Sequence, residues 1–138
     1  MSALPVILII EDEDFLRFSL ADFLEDHGYP VFAAPNAEDG LDQLNLAHPD
    51  VCIVDMRLPD MNGNEFILRA HQFNPRLKFI IFTGSVEYNL PESLLGIGLC
   101  STDILFKPLT DMRILVDKIR ALSSATSVPV PVGPSFSP

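Results

Sequence analysis

Five polar residues stand where apolar runs of this chain stop: Glu11 and Asp12, Asp55, Thr83, and Lys107. Glu11-Asp12 follows the apolar residues 6–10, and Asp55 follows Val51-Cys52-Ile53-Val54. Thr83-Gly84 follows residues 77–82, and Lys107-Pro108 follows residues 103–106. Two carboxylates held about 4 Å apart at an effective dielectric near 20 repel by on the order of 4 kcal/mol. A hard cation relieves that repulsion. Mg2+ takes oxygen in octahedral geometry and is held by one or two carboxylates plus a phosphate oxygen. Asp12 and Asp55, with a backbone carbonyl just after Asp55, leave room for waters and one phosphoryl oxygen. An ionised carboxylate beside Mg2+ can attack phosphorus, a reaction that asks mainly for in-line positioning and charge neutralisation. Lys107 offers a point charge to one phosphoryl oxygen. Thr83 offers a hydroxyl donor to another, with Gly84 allowing close backbone approach.

Each residue alone has a plainer explanation. A strand-end aspartate commonly accepts backbone hydrogen bonds, and the acidic run Glu11-Asp12-Glu13-Asp14 suits a helix N-terminus. Thr83-Gly84 reads as a turn, and Lys107-Pro108 as a surface lysine before a helix-opening break. The decision rests on where the elements bring these ends.

The apolar runs at 6–10 and 51–54 are continuous, as in strands buried on both faces. A helix over residues 14–27 carries Leu16, Leu20, Phe23 and Leu24 on one stripe and ends at Gly28. Residues 31–34 form a short strand. Asn36 caps a helix through residue 47, with His48 in its last turn and Pro49 closing it. Leu58-Pro59-Asp60 and Asn62-Gly63 are turn signals before a helix over residues 63–73. After the strand at 77–82, Pro91 opens a short helix through residue 95, closed by Gly96 and Gly98. A fifth strand spans 103–106. A last helix, from 110 or 111 to 122, places Met112, Leu115, Val116 and Ile119 on one stripe. From Ser123 onward, Pro, Ser, Val and Gly read as a flexible tail or linker stub over 123–138. Strand and helix thus alternate five times, which predicts a parallel sheet with helices on both faces. Right-handed crossovers put every strand's C-terminal end on one edge, where the five residues would collect.

Composition narrows the function. The chain of 138 residues has 48% hydrophobic residues and a net charge of −10, so it is one folded domain that does not itself grip nucleic acid or an anionic membrane. No apolar run reaches the roughly 18 residues of a membrane span, and no signal-peptide pattern opens the chain, so the cytoplasm is expected. Cys52 and Cys100 make no metal or disulfide pattern and are expected as small packing residues. His27, His48 and His71 are expected as helix-surface residues.

Ile9-Ile10-Glu11-Asp12, Asp55-Met56-Arg57-Leu58-Pro59-Asp60-Met61-Asn62-Gly63, Thr83-Gly84 and Phe106-Lys107-Pro108 together resemble a two-component response-regulator receiver domain. The resemblance covers residues 6–122 in order and spacing. It implies a flavodoxin-like doubly wound five-stranded parallel sheet of order 2-1-3-4-5. It implies Asp55 as phosphoacceptor, fed by a histidine kinase or phosphotransfer protein. Mg2+ would be bound by Asp12 directly, by Glu11 through water, by Asp55, and by the backbone carbonyl of Arg57. Thr83 and Lys107 would hold the phosphoryl oxygens, and phosphorylation would reshape a protein-interaction surface, with an unknown downstream target and a possible homodimer. Two places depart from the family: three residues before the lysine, where it carries Tyr or Phe, this chain has Ile104, and Cys100-Ser101 stands where the family has a pair of small residues before this strand. The switch pair is then Thr83 and Ile104, without a ring. By the resemblance the chain is a signalling switch that catalyses only its own phosphorylation and dephosphorylation. Two other readings stay open. A Mg2+-dependent aspartyl phosphatase would want an acid where Arg57 stands, and a receiver-like interaction domain would need no phosphorylation. No output segment fits after residue 122, so the chain either acts through its own surface or is part of a longer regulator.

Overall fold

The computed structural model describes residues 4–127, with side chains through residue 123. Its strands are β1 (Ile7–Ile10), β2 (Val31–Ala34), β3 (Val51–Val54), β4 (Lys78–Thr83) and β5 (Ile104–Phe106). Its helices are α1 (Asp14–Asp26), α2 (Ala37–Ala47), α3 (Gly63–Phe73), α4 (Glu92–Gly96) and α5 (Arg113–Ser127). All neighbouring strands pair in parallel, in the order β2-β1-β3-β4-β5.

Side chains alternate across the sheet, so each strand feeds two cores. Leu8, Ile10, Cys52, Val54, Phe79 and Ile81 pack with residues of α2, α3 and α4 on one face. Ile7, Ile9, Val51, Ile53, Ile80 and Phe82 pack with α1 and α5 on the other. β1 and β3 have no exposed residue, which is why their sequences are apolar throughout rather than alternating. In this strand order the winding of the sheet reverses between β1 and β3, the place where open α/β sheets leave a crevice.

Helix ends follow their local chemistry. Asn36 and Asn62 accept the N–H groups of Asp39 (2.7 Å) and Glu65 (2.8 Å), capping α2 and α3. Gly28 takes φ +91° just past α1, the left-handed conformation that glycine adopts without strain. The Asn36 cap and the glycine stop were expected, whereas Asn62 had read only as part of a turn.

Four expectations are corrected. His48 is not in the last turn of α2 but is its C-cap, with a left-handed φ of 47°; Pro49 disfavours the helical conformation for the residue before it. Asp103 does not open β5 but ends a 3-10 turn (Ser101–Asp103), because its carboxylate accepts the Cys100 N–H (2.9 Å) and pairs with Lys118 (2.9 Å). Cys100 is exposed rather than packed, whereas Cys52 is buried and its thiol is pushed up in pKa by that burial. α5 begins at Arg113, whose N–H is taken by the Asp111 carboxylate (2.9 Å), and continues to Ser127. The expected tail had begun at 123; residues 128–138 lie outside the described residues.

Candidate functional site

At the β1/β3 reversal, the C-terminal ends of three strands meet. Glu11 and Asp12 follow β1, Asp55 follows β3 and Lys107 follows β5, as the sheet requires. Carboxylate oxygens of Glu11, Asp12 and Asp55 lie within 4.8 Å of one another. They border an open cleft of about 330 Å³ lined by Glu11, Asp12, Glu13, Asp55, Arg57, Gly84 and Lys107.

Glu11 is 1% exposed and Asp55 5%, whereas Asp12 faces solvent. Lys107 Nζ lies 2.8 Å from Glu11 Oε1 and 3.5 Å from Asp55 Oδ1. Backbone amides complete the set: Glu13 N–H donates to Glu11 Oε2 (3.2 Å), and Arg57 N–H to Asp55 Oδ1 (3.2 Å). Even so, burial pushes the Glu11 carboxyl above its ordinary pKa, with the Asp55 charge adding to the rise and Lys107 opposing it. Burial likewise raises Asp55, with Asp12 adding and the Arg57 amide and Lys107 opposing. One ammonium for three acids leaves the site short of positive charge. An oxygen-only donor set with two desolvated carboxylates fits Mg2+, which would relieve that strain; Glu11, Asp12 and Asp55 are the side chains placed to hold it.

Thr83 ends β4 as expected but is 2% exposed, and its Oγ1 accepts the Ser85 N–H (3.1 Å). The residue that lines the cleft at this strand's end is Gly84, just past β4. Thr83 also fixes Lys107 from behind, since its carbonyl accepts the Lys107 N–H (2.8 Å). Ile104 is half-buried against the α2–α3–α4 core and does not line the cleft. Arg57 is exposed on the rim, in a bridge with Asn62 that closes the loop after Asp55. Gly63 permits that loop: an added Cβ would meet Met56 Cε and come within 2.7 Å of the Asp55 carbonyl oxygen.

Three supporting residues escaped the sequence reading. Arg17, 8% exposed, donates from one guanidinium nitrogen to the Glu11 carbonyl (2.9 Å) and from the other to Asp14 (2.7 Å). A signal existed, because Arg17 stands three and seven residues before the buried Leu20 and Leu24, and a charge on an apolar stripe needs partners. The Asp60 carboxylate accepts the N–H groups of Ala37 (3.0 Å) and Glu38 (2.8 Å) at the start of α2, and these bonds hold its pKa below the usual range. Tyr88 donates to Asn64. Neither contact has a local pattern.

Comparison with known proteins gives the family and the fold. The response regulator receiver domain family matches residues 7–120. The transcriptional activator protein ExaE of Pseudomonas putida is 33% identical over 96 residues, 68% of this chain and 45% of that protein. The chemotaxis protein CheY of Thermotoga maritima is 26% identical over 110 residues, 79% of this chain and 90% of that one. A crystal structure of a CheY-like receiver domain protein from Methanospirillum hungatei JF-1 superposes with a TM-score of 0.79 at 31% identity, covering 90% of this chain and 97% of that one. The chain spans less than half of ExaE and 27% of the Escherichia coli regulatory protein AtoC. With its fold, its strand-end acids and its relatives in agreement, this chain belongs to the response regulator receiver domain family of two-component signalling.

Proposed function

We propose that Asp55 is a phosphoacceptor, charged by a histidine kinase or phosphotransfer protein in the cytoplasm, and that its modification switches a protein-interaction surface of this domain. The observation that carries this reading is the buried Asp55 carboxylate with Glu11 and Asp12 within 4.8 Å and Lys107 Nζ at 3.5 Å. A carboxylate crowded by acids gains from a neighbouring cation, and one facing an open cleft can be reached by a donor.

In the transfer, an Asp55 oxygen forms a bond to phosphorus as the donor's phosphorus–nitrogen bond breaks, and the released imidazole nitrogen takes a proton from water. Mg2+, when bound, supplies charge neutralisation to the phosphoryl oxygens. The Arg57 amide orients Asp55 by holding Oδ1. Lys107 lies close enough to serve a phosphoryl oxygen once that group is on Asp55, and Glu11 holds the lysine at 2.8 Å. Thr83 serves a further oxygen after its hydroxyl turns toward the cleft. The Arg57 carbonyl, placed just past Asp55, is the remaining proposed metal ligand.

Intact-mass measurement after incubation with acetyl phosphate tests the reading. One added phosphoryl group that requires Mg2+ and disappears in Asp55→Asn supports it. Steady phosphate release from added phosphate esters would point to a phosphatase, and no adduct under any donor to a domain that binds partners without phosphorylation.

A further inference from the structure

The segment between β4 and α4 borders the cleft at Gly84 and is tied down by a short series of hydrogen bonds. Ser85 N–H donates to Thr83 Oγ1 (3.1 Å), and Tyr88 N–H donates to Ser85 O (3.2 Å). The Tyr88 hydroxyl then donates to Asn64 Oδ1 at 2.6 Å, across 24 residues of chain. That bond differs in kind from the others. It joins the segment after Thr83 to the second residue of α3, hence to the loop that follows Asp55. Asn64 is held in place because Gly63 before it sits against the Asp55 carbonyl. The Tyr88 ring is half-buried against the same apolar cluster as Leu58, Met61 and Ile104.

Thr83 in this arrangement is buried, with its oxygen turned to Ser85 rather than forming the cleft wall. Any turn of that hydroxyl toward a group on Asp55 pulls on Ser85, and through Ser85 on Tyr88. From these contacts we infer that Tyr88 and Asn64 form a clasp that holds the β4–α4 segment in the arrangement seen here, and that phosphorylation of Asp55 is coupled to its release. The inference rests on the phosphoacceptor reading and adds a device to it. Tyr88 is a positioning residue, acting through Ser85 and Thr83. Coupling between sites is reciprocal at equilibrium: a group that favours the released clasp binds more tightly when the clasp is cut.

The test uses the full chain, as wild type, Tyr88→Phe, Asn64→Ala and the double variant. Tyr88→Phe keeps the ring and its packing and removes only the hydroxyl. Two quantities are read: amide hydrogen exchange at residues 85–90 in metal-free protein, and the equilibrium affinity for beryllium fluoride with Mg2+ as a phosphoryl mimic on Asp55. The clasp predicts faster exchange at 85–90 in Tyr88→Phe and affinity tighter by about three- to tenfold, the scale of one neutral hydrogen bond. It also predicts that the double variant matches Asn64→Ala, since the pair acts as one unit. A merely structural tyrosine would speed exchange and leave the affinity unchanged or weaker, which overturns the inference, as would additive effects of the two substitutions. If the wild type takes neither beryllium fluoride nor a phosphoryl group, the phosphoacceptor reading falls and this inference with it. Binding in wild type with no gain in Tyr88→Phe removes the clasp alone.

Discussion

Glu11 and Asp55 hold their carboxylates almost wholly buried at the inner edge of the cleft, and Lys107 offsets only part of their charge. Their folded-state pKa values are raised mainly by burial. A group raised in this way stabilises the fold below its unfolded pKa and loses that contribution as pH rises through the folded value. The metal-free protein should therefore lose stability as pH climbs from the ordinary carboxylate range toward neutrality. Mg2+ should restore it, with a benefit that shrinks on acidification as protons compete for the same oxygens. Asp55→Asn removes one of the crowded charges, so its metal-free melting temperature should rise by a few degrees, on the order of 1 kcal/mol. Its response to Mg2+ should be smaller than wild type in the same thermal scans. Arg57 projects from the rim of the cleft, where its charge and length can screen a phosphoryl group from water. Arg57→Ala should speed dephosphorylation by about threefold, the scale of one exposed charge interaction; an unchanged rate of phosphate loss would remove that role.

At the scale of elements, the loop after Asp55 is fastened at three points. Asp60 fastens it to α2, the Arg57–Asn62 bridge closes it, and Gly63 lets α3 start against the Asp55 carbonyl. Gly63→Ala should cost about 1–3 kcal/mol through overpacking and weaken Mg2+ binding together with the fold, as seen by thermal denaturation with and without the metal. His48 is the opposite case, a non-glycine residue in the left-handed region far from the cleft. His48→Gly should stabilise by about 0.5–1 kcal/mol, measured by urea denaturation, with the Mg2+ response unaltered. Elements with a strong local pattern were legible in the sequence: the apolar strands, the Asn36 cap, the Gly28 stop, and the strand-end acids. What was missed depends on contacts between segments distant in the chain. Asp60 reaches α2, Asp103 reaches Lys118, and Tyr88 reaches Asn64, and no periodicity records such pairs. The inward turn of Thr83 was illegible for a different reason: its partner Ser85 is only two residues on, and their contact is set by the backbone shape of the turn between them.

For the whole molecule, the sheet order is what makes the site. With β1 and β3 adjacent at the reversal of the winding, residues 11, 12 and 55 converge although more than forty positions separate Asp12 from Asp55. Two helical layers cover the central strands on both sides, and the site forms at their C-terminal ends. Among the described residues no helix is long and apolar enough to cross a membrane. The proposed chemistry thus converges on the Asp55 carboxylate. The most direct measurement is to treat the protein with acetyl phosphate and Mg2+, reduce it with sodium borohydride, which converts an aspartyl phosphate to homoserine, and locate the product by tandem mass spectrometry. Homoserine at position 55 and nowhere else, lost when Mg2+ is withheld, is the predicted result. Homoserine at position 12 instead, or phosphate found on a hydroxyl or imidazole with Asp55 unmodified, would contradict it.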